Sequence, residues 1–480
     1  MRILLIFKDS IAVERLAISQ LSAVLKAAGH EVRLAILGPT LAQDFAEIVS
    51  DFAPRVIGYS AMTGEHFALA DLNRDLKRQF SFMSVFGGPH AIFRHDFLED
   101  ENVDALCIGE GDIAFVEFCR RLEADESWWE TPTFHARHEG VIHRNALAPL
   151  VDPVELPFPD RRIIYDADPN LARSGIKYFM AGRGCPYHCA YCFNARFNED
   201  HKGLGKVLRA RTAEQVVDEI AWVKEHYRLE TVAFVDDVFN QKPLGWINAF
   251  RDLYKQKIGL PFFANMRANA IREVDIAALA DAGLTLVWMG IESGNEKAAN
   301  EILQRNLSNE QVMKAARILK THGVKLTTQN LIGLPVSNPF EIDLETLDLN
   351  IAIQPTYGWS SILYPYPGTP IEAYARSNGY LSGELAYTET NKRSSMLDFK
   401  DDREKRRVEN LHKLFGLIVA FPFLRPFTRH LCDLPLTGFY RALFWGWYGF
   451  SVKFRLTKSR AIWRELPYLL SVFWRMVAKG

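Results

Sequence analysis

Cysteine is scarce in this chain. Only six occur in 480 residues, which excludes the small secreted folds held together by dense disulfides. Net charge is nearly absent too. There are 57 Lys and Arg against 58 Asp and Glu, so the whole chain has no bulk electrostatic pull toward nucleic acid. Long apolar runs are also missing. None reaches the about 18 residues of a membrane span, and the apolar stretches near the end are cut by proline or charge. No signal-peptide pattern is visible, because Ile3–Phe7 follows Met1 and Arg2 directly. These absences predict a cytoplasmic protein with no membrane span and no nucleic-acid partner. The hydrophobic content of 48% predicts well-filled cores.

What is present is unevenly spread. Cys185, Cys189 and Cys192 fall within eight residues, while Cys107, Cys119 and Cys432 are scattered. Such clustering argues for a metal site in a reducing compartment. Residues 401–480 hold 15 basic and 6 acidic side chains, a local net of +9, together with 16 aromatics.

The length suggests two to four domains. Residues 1–125 alternate short apolar runs (Ile3–Phe7, Val32–Leu37, Val56–Ser60, Ser84–Phe86, Ala105–Ile108) with amphipathic stretches such as Ala12–Ala28 and His66–Gln79. This predicts an α/β domain with a doubly wound, Rossmann-like parallel sheet over 1–150. In such sheets ligands bind at the carboxyl ends of the strands. The three prolines of 151–162 predict an extended linker over 151–175. From 176 to about 375 the alternation resumes. Six strands are expected, at Tyr178–Gly182, Thr231–Asp236, Phe262–Arg267, Leu286–Ile291, Lys325–Ile332 and Trp359–Tyr364, separated by helices such as Ala213–His226 and Asn309–His322. This pattern predicts an incomplete six-stranded (β/α)6 barrel with its chemistry at the strand carboxyl ends. Residues 376–480 read as a helical region.

The loop Gly184–Cys192 has the spacing C-x3-C-x2-C. Structural zinc sites take four ligands, usually as spaced pairs. Three thiolates with no fourth nearby suit a four-iron cluster with one open iron. The alternatives are three structural cysteines, or zinc completed by His188. The loop resembles the motif of the radical SAM superfamily, in which the residue before the last cysteine is usually aromatic, as Tyr191 is. The resemblance implies a 4Fe-4S cluster on Cys185, Cys189 and Cys192. It also implies S-adenosylmethionine on the open iron, a 5′-deoxyadenosyl radical, and an electron donor such as flavodoxin or ferredoxin. It places Asp236 and Asp237 near the methionyl ammonium and Arg267 on its carboxylate. Glu292 and Ser293, in the segment Gly290–Gly294, fall near the ribose and carboxylate. Gly333 would let the backbone approach adenine. Glu292 and Arg267 are the candidate catalytic residues.

The first domain resembles the cobalamin-binding module that often precedes this barrel. Ser60-Ala61-Met62 stands for its Ser-x-Leu element and Gly87-Gly88 for its Gly-Gly element. Thr63, Gly64, Pro89, His90 and Glu110 complete the candidate cofactor-binding set. The module's Asp-x-His loop is missing, since Ile11 falls where the histidine would. The alternative is a nucleotide-binding or purely structural Rossmann-like domain. VFGGPHA (85–91), GEGD (109–112), LPFPD (156–160) and YPGTP (366–370) also resemble segments of this class. The implied function is a cobalamin-dependent radical SAM enzyme that methylates an unactivated carbon of a small-molecule or lipid-like substrate through methylcobalamin. The rivals are a radical cyclase or rearrangement enzyme, and a non-catalytic cobalamin or redox sensor. The basic, aromatic end reads first as a helical lid on the barrel. Its second reading is peripheral association with the inner membrane surface.

Overall fold

The computed structural model describes residues 1–9, 13–38, 43–385 and 394–456. The missing-histidine position at Ile11 lies outside the described residues. Contacts divide the chain into two compact units.

The first unit comprises Met1–Pro186 and Phe197–Leu229. Its sheet has seven strands. Arg2–Lys8 lies between Glu31–Leu37 and Val56–Ser60, followed outward by Met83–Gly87, Ala105–Cys107, Phe134–His138 and Val141–Arg144. The first five are parallel, as expected. They read as nearly continuous apolar runs because helices cover both faces: Ile3, Leu4, Leu5, Ile6 and Phe7 are all at most 1% exposed. The order reverses direction at Arg2–Lys8, the switch point where a crevice opens at the strand carboxyl ends. The hairpin Phe134–Arg144 was not expected. Its antiparallel strands close one edge of the sheet, and their mix of His and Arg masks any apolar alternation.

The expected linker is partly helical, over Arg162–Ala167 and Pro169–Arg173. It is tied down by charge. Arg161 is 2% exposed and pairs with Glu14 at 2.6 Å and Glu219 at 3.5 Å, while Asp160 pairs with Lys26 at 2.6 Å.

The second unit comprises Tyr187–Arg196 and most of the chain beyond Glu230. It holds five parallel strands of a six-stranded open sheet, in chain order: Thr231–Phe234, Phe262–Met266, Leu284–Glu292, Lys325–Ile332 and Tyr357–Ile362. The sixth, Ile176–Phe179, clusters with the first unit. Among the described residues no closed barrel forms, in keeping with the incomplete barrel expected. Helices start where the sequence supplies caps. Ser308 and Gln311 form a reciprocal capping box before Asn309–Thr321, as Thr212 and Gln215 do before Ala213–His226. The helix Asp402–Ala420 packs Val408, Leu411, Phe415 and Ile418 into one core with Ile332, Phe340 and Leu347. The helical-lid reading describes this part of the C-terminal region. No helix among the described residues is long and apolar enough to cross a membrane.

Candidate functional site

The densest chemistry of the second unit sits at the carboxyl end of Leu284–Glu292. A register shift between Gly290 and Glu292 turns the strand, and Glu292 takes a positive φ of 70°. Such a conformation in a non-glycine residue costs about 1–3 kcal/mol and persists only where its surroundings enforce it. Arg305 does so. It is 5% exposed, donates to the Gly290 carbonyl, and stands 3.9 Å from the Glu292 carboxylate. Burial pushes the Glu292 carboxyl above its ordinary range against the opposing pull of Arg305. Arg305 also donates to the Tyr191 hydroxyl at 2.9 Å and to the Cys189 sulfur at 3.6 Å, while its Nε has no partner. It is flanked by Gln304 at φ 52° and Asn306 at φ 50°. Sequence reasoning missed this residue. Its only signal was a lone arginine thirteen positions after Glu292.

Arg267 converges on the same sulfur. Its Nη1 donates to Cys189 Sγ at 3.4 Å, its Nε to Asn269 at 2.9 Å, and its Nη2 to the Arg305 carbonyl. The guanidinium lies 3.8 Å over the Tyr187 ring. Both guanidinium groups therefore aim N–H donors at this one sulfur. The loop is pinned by backbone: Ala190 donates to Leu303 at 2.9 Å and Ile371 to Ala190 at 3.0 Å. Cys192 accepts from Asn194 Nδ2 at 3.7 Å, and burial pushes its thiol up to about 11. In the first unit, Cys185 is buried and its carbonyl accepts from Asn198 at 2.8 Å. Among the described residues, no three His, Cys, Asp or Glu side chains stand in a metal-holding group.

The remaining predicted residues differ in environment. Asp236 is buried and already paired with Lys242 at 2.8 Å. Asp237 is exposed and accepts a hydrogen bond from Asn194. Ser293 is buried, its hydroxyl accepting from the Asn295 amide at 3.3 Å. Gly333 has the positive φ of 73° that favours glycine, but the space beside it is taken. A Cβ there would lie 2.8 Å from Val408 on the C-terminal helix, and its amide donates to the buried Asp343 carboxyl at 3.1 Å.

In the first unit, Ser60 ends its strand and Gly87 ends the next. Gly88 has φ +91°, and a Cβ there would meet the Ala61 carbonyl oxygen at 2.8 Å. The Ala61 amide donates to Gly87 at 2.9 Å and the His90 amide to Ala61 at 3.2 Å, which stitches the two loops together. Pro89 opens the short helix Pro89–Phe93. His90 is buried, lies 3.4 Å from the Thr63 hydroxyl, and stacks on His66 with centroids 3.6 Å apart. The Gly64 amide donates to His66 Nδ1 at 3.1 Å. Burial first, then the neighbouring His66, pushes the His90 imidazole down to about 3. Burial and Arg94 push His66 down to about 4. Both rings line a cavity of about 340 Å³ with Phe67, Arg94 and Asp96. Glu110 is engaged elsewhere. Arg209 binds its carboxylate through both Nη atoms at 2.8 Å, and Arg183 lies 3.6 Å away. These pairs lie within the first unit.

Two family patterns match the chain: the Radical SAM superfamily over residues 180–346 and the B12 binding domain over 11–119. An uncharacterized methyltransferase of Pyrococcus horikoshii is 25% identical, the match covering 70% of this chain and 73% of that protein. The cytidylyl-2-hydroxyethylphosphonate methyltransferase of Streptomyces wedmorensis is 23% identical over 61% of this chain, and the match spans only 60% of that enzyme's length. The solved structure of the cobalamin-dependent S-adenosylmethionine radical enzyme OxsB, with aqua-cobalamin and S-adenosylmethionine bound, has a similar fold. Its TM-score is 0.69 at 15% identity, covering 99% of this chain and 75% of that one.

Proposed function

Because this chain belongs to the radical SAM enzymes that carry a B12-binding domain, we propose that it is a methyltransferase acting on an unactivated carbon of a small-molecule or lipid-like substrate. The observation that carries this reading is the pairing of the two domains in one chain whose relatives include named methyltransferases.

The residues present fit the groups this family implies. Cys185, Cys189 and Cys192 offer a soft thiolate set suited to a 4Fe-4S cluster. The two guanidinium groups on Cys189 complement the negative charge of such a set. Gly87 leaves backbone bare of a side chain at the carboxyl end of a parallel strand, where a flat corrin and its tail can approach, and Gly88 lets the Ala61 loop pack close beside it. When bound, the cluster supplies the electron that cleaves S-adenosylmethionine, and cobalamin supplies the methyl carrier.

The chain's own residues bind and orient. Arg305 holds Glu292 and Tyr191 in one buried constellation. Glu292 is suited to a hydroxyl or ammonium donor of a bound ligand, because a buried carboxyl gains most from an added partner. Asp237 is the acidic residue of its strand end still open to solvent, whereas Asp236 is neutralised by Lys242. An electron donor such as flavodoxin or ferredoxin completes the system.

The test is anaerobic turnover with methyl-labelled S-adenosylmethionine and cell extract as the substrate source. A methyltransferase forms 5′-deoxyadenosine and S-adenosylhomocysteine and labels a product. Formation of 5′-deoxyadenosine with no labelled product shifts the reading to a cyclase or rearrangement enzyme. Formation of neither leaves the sensor.

A further inference from the structure

Large apolar side chains on the surface of a folded protein are normally scattered singly, and a contiguous group marks an interaction surface. Among the described residues, seven of the seventeen large exposed apolar side chains fall between Phe421 and Phe454. They do not lie at random there. Phe423, 69% exposed, packs against Phe421 with centroids 6.1 Å apart, and Phe421 lies 5.4 Å from Trp447. Trp447 stacks on Phe450 at 5.6 Å, and Phe450 lies 5.0 Å from Phe454, itself 61% exposed. The rings form one continuous ladder. Phe444, Trp445 and Tyr440 of the same helix, Thr437–Phe450, are buried instead, so the core has already taken the aromatics it can use.

The ladder is rigidly backed. Trp447 Nε1 donates to the Gly416 carbonyl at 3.0 Å on the helix Asp402–Ala420. Cations flank the rings: Arg455 lies 5.5 Å over Trp447, and Lys453 lies 5.9 Å from the Phe454 ring centre. Apolar rings edged by Lys and Arg, within a segment of net charge +9, are complementary to a surface that is anionic outside and apolar beneath. A second protein would have to match one particular shape, whereas a bilayer matches this chemistry without one.

We propose that the aromatic ladder from Phe423 to Phe454 docks on the surface of an anionic phospholipid bilayer. The rings enter the headgroup–acyl boundary while Lys453 and Arg455 meet lipid phosphates. The docking does not depend on the reaction proposed above.

The test is flotation of the full chain with phosphatidylcholine vesicles and with vesicles containing 30% phosphatidylglycerol. At low salt the anionic vesicles carry the protein up and the neutral ones carry about 25-fold less, since each of the two cations adds on the order of a fivefold gain. Raising the salt to 0.5 M, roughly a twofold shortening of the screening length from physiological strength, releases it. Phe450→Ser with Phe454→Ser, and separately Lys453→Glu with Arg455→Glu, each lower flotation about tenfold or more. The Phe450→Ser, Phe454→Ser variant leaves thermal unfolding unchanged, because both rings are exposed. Absence of wild-type flotation at low salt overturns the proposal. So does flotation indifferent to both variant pairs. Protection of Phe450 and Phe454 from hydroxyl-radical labelling in vesicle-free protein overturns it too, since a second copy or the residues beyond 456 would then cover the ladder.

Discussion

Around Cys189 the second unit gathers two guanidinium groups, a carboxyl and a phenol away from water. Around Gly88 the first unit gathers backbone carbonyls, bare glycine and two stacked imidazoles kept neutral by burial. One centre is made of compensated charge and the other of close backbone approach. Buried charge is costly unless each member keeps its partner, so the first kind of site fails when one atom is removed. A glycine cradle fails when one atom is added.

The charged centre fails most completely at the cysteines. Cys189→Ala removes the sulfur on which both arginines converge. Anaerobically reconstituted protein should lose all its iron and its cluster absorbance, as should Cys185→Ala and Cys192→Ala. Cys107, Cys119 and Cys432 are buried with their thiols pushed up, and their alanine variants should keep the iron.

Arg305→Gln comes next. It leaves Glu292 buried without its cation, a change of about 3 kcal/mol for a broken buried pair. Urea unfolding of the metal-free protein should read that loss. Arg305→Lys, which keeps the charge but not the planar fork, should recover part of it.

The glycine cradle is broken by addition. Gly88→Ala combines a positive φ with overlap on the Ala61 carbonyl, and about 1–3 kcal/mol of stability should be lost. At Gly87 a Cβ meets only Cys107 Cβ, at 3.6 Å. Gly87→Leu should therefore leave thermal unfolding nearly unchanged while lowering retention of hydroxocobalamin. Equal retention by Gly87→Leu and wild type would remove the cradle from the cofactor site.

In acid and base the two units respond with opposite sign. The His66 and His90 imidazoles are pushed below their ordinary 6.5, to about 4 and about 3. The unfolded chain thus binds more protons, and stability present above pH 6.5 is lost as pH falls toward 3. Burial holds Asp343 well above its ordinary carboxyl range. The folded chain then binds the extra proton, and stability present below pH 4 is lost as pH rises through the raised value. Thermal melts of cofactor-free protein should show His90→Phe flattening the acid limb and Asp343→Asn flattening the alkaline limb.

Several features were legible from chain order alone. The three-cysteine spacing, the Gly87-Gly88 pair and the strand-end positions of Glu292 and Arg267 depend on local pattern, and strand ends are predictable from apolar runs. Arg305 was not legible, because its loop folds back through two positive-φ residues that carry no sequence signature. Glu110 looked like a strand-end ligand residue, yet Arg209 neutralises it from 99 positions away. Gly333 was assigned to adenine, yet the side chain at its face is Val408, 75 residues later in the sequence.

Local pattern accounts for the alternation of strands and helices, the carboxyl-end loops on which chemistry collects, and the thiol set. These follow from local periodicity and from residue types that have few other uses. Tertiary structure decided which charge meets which: Asp236 with Lys242, Glu110 with Arg209, Arg305 with Glu292. It also divided the C-terminal aromatics into a buried set and an exposed ladder. The physical reason is that pairing and burial depend on distance in space, and in this fold the groups that meet are often far apart along the chain.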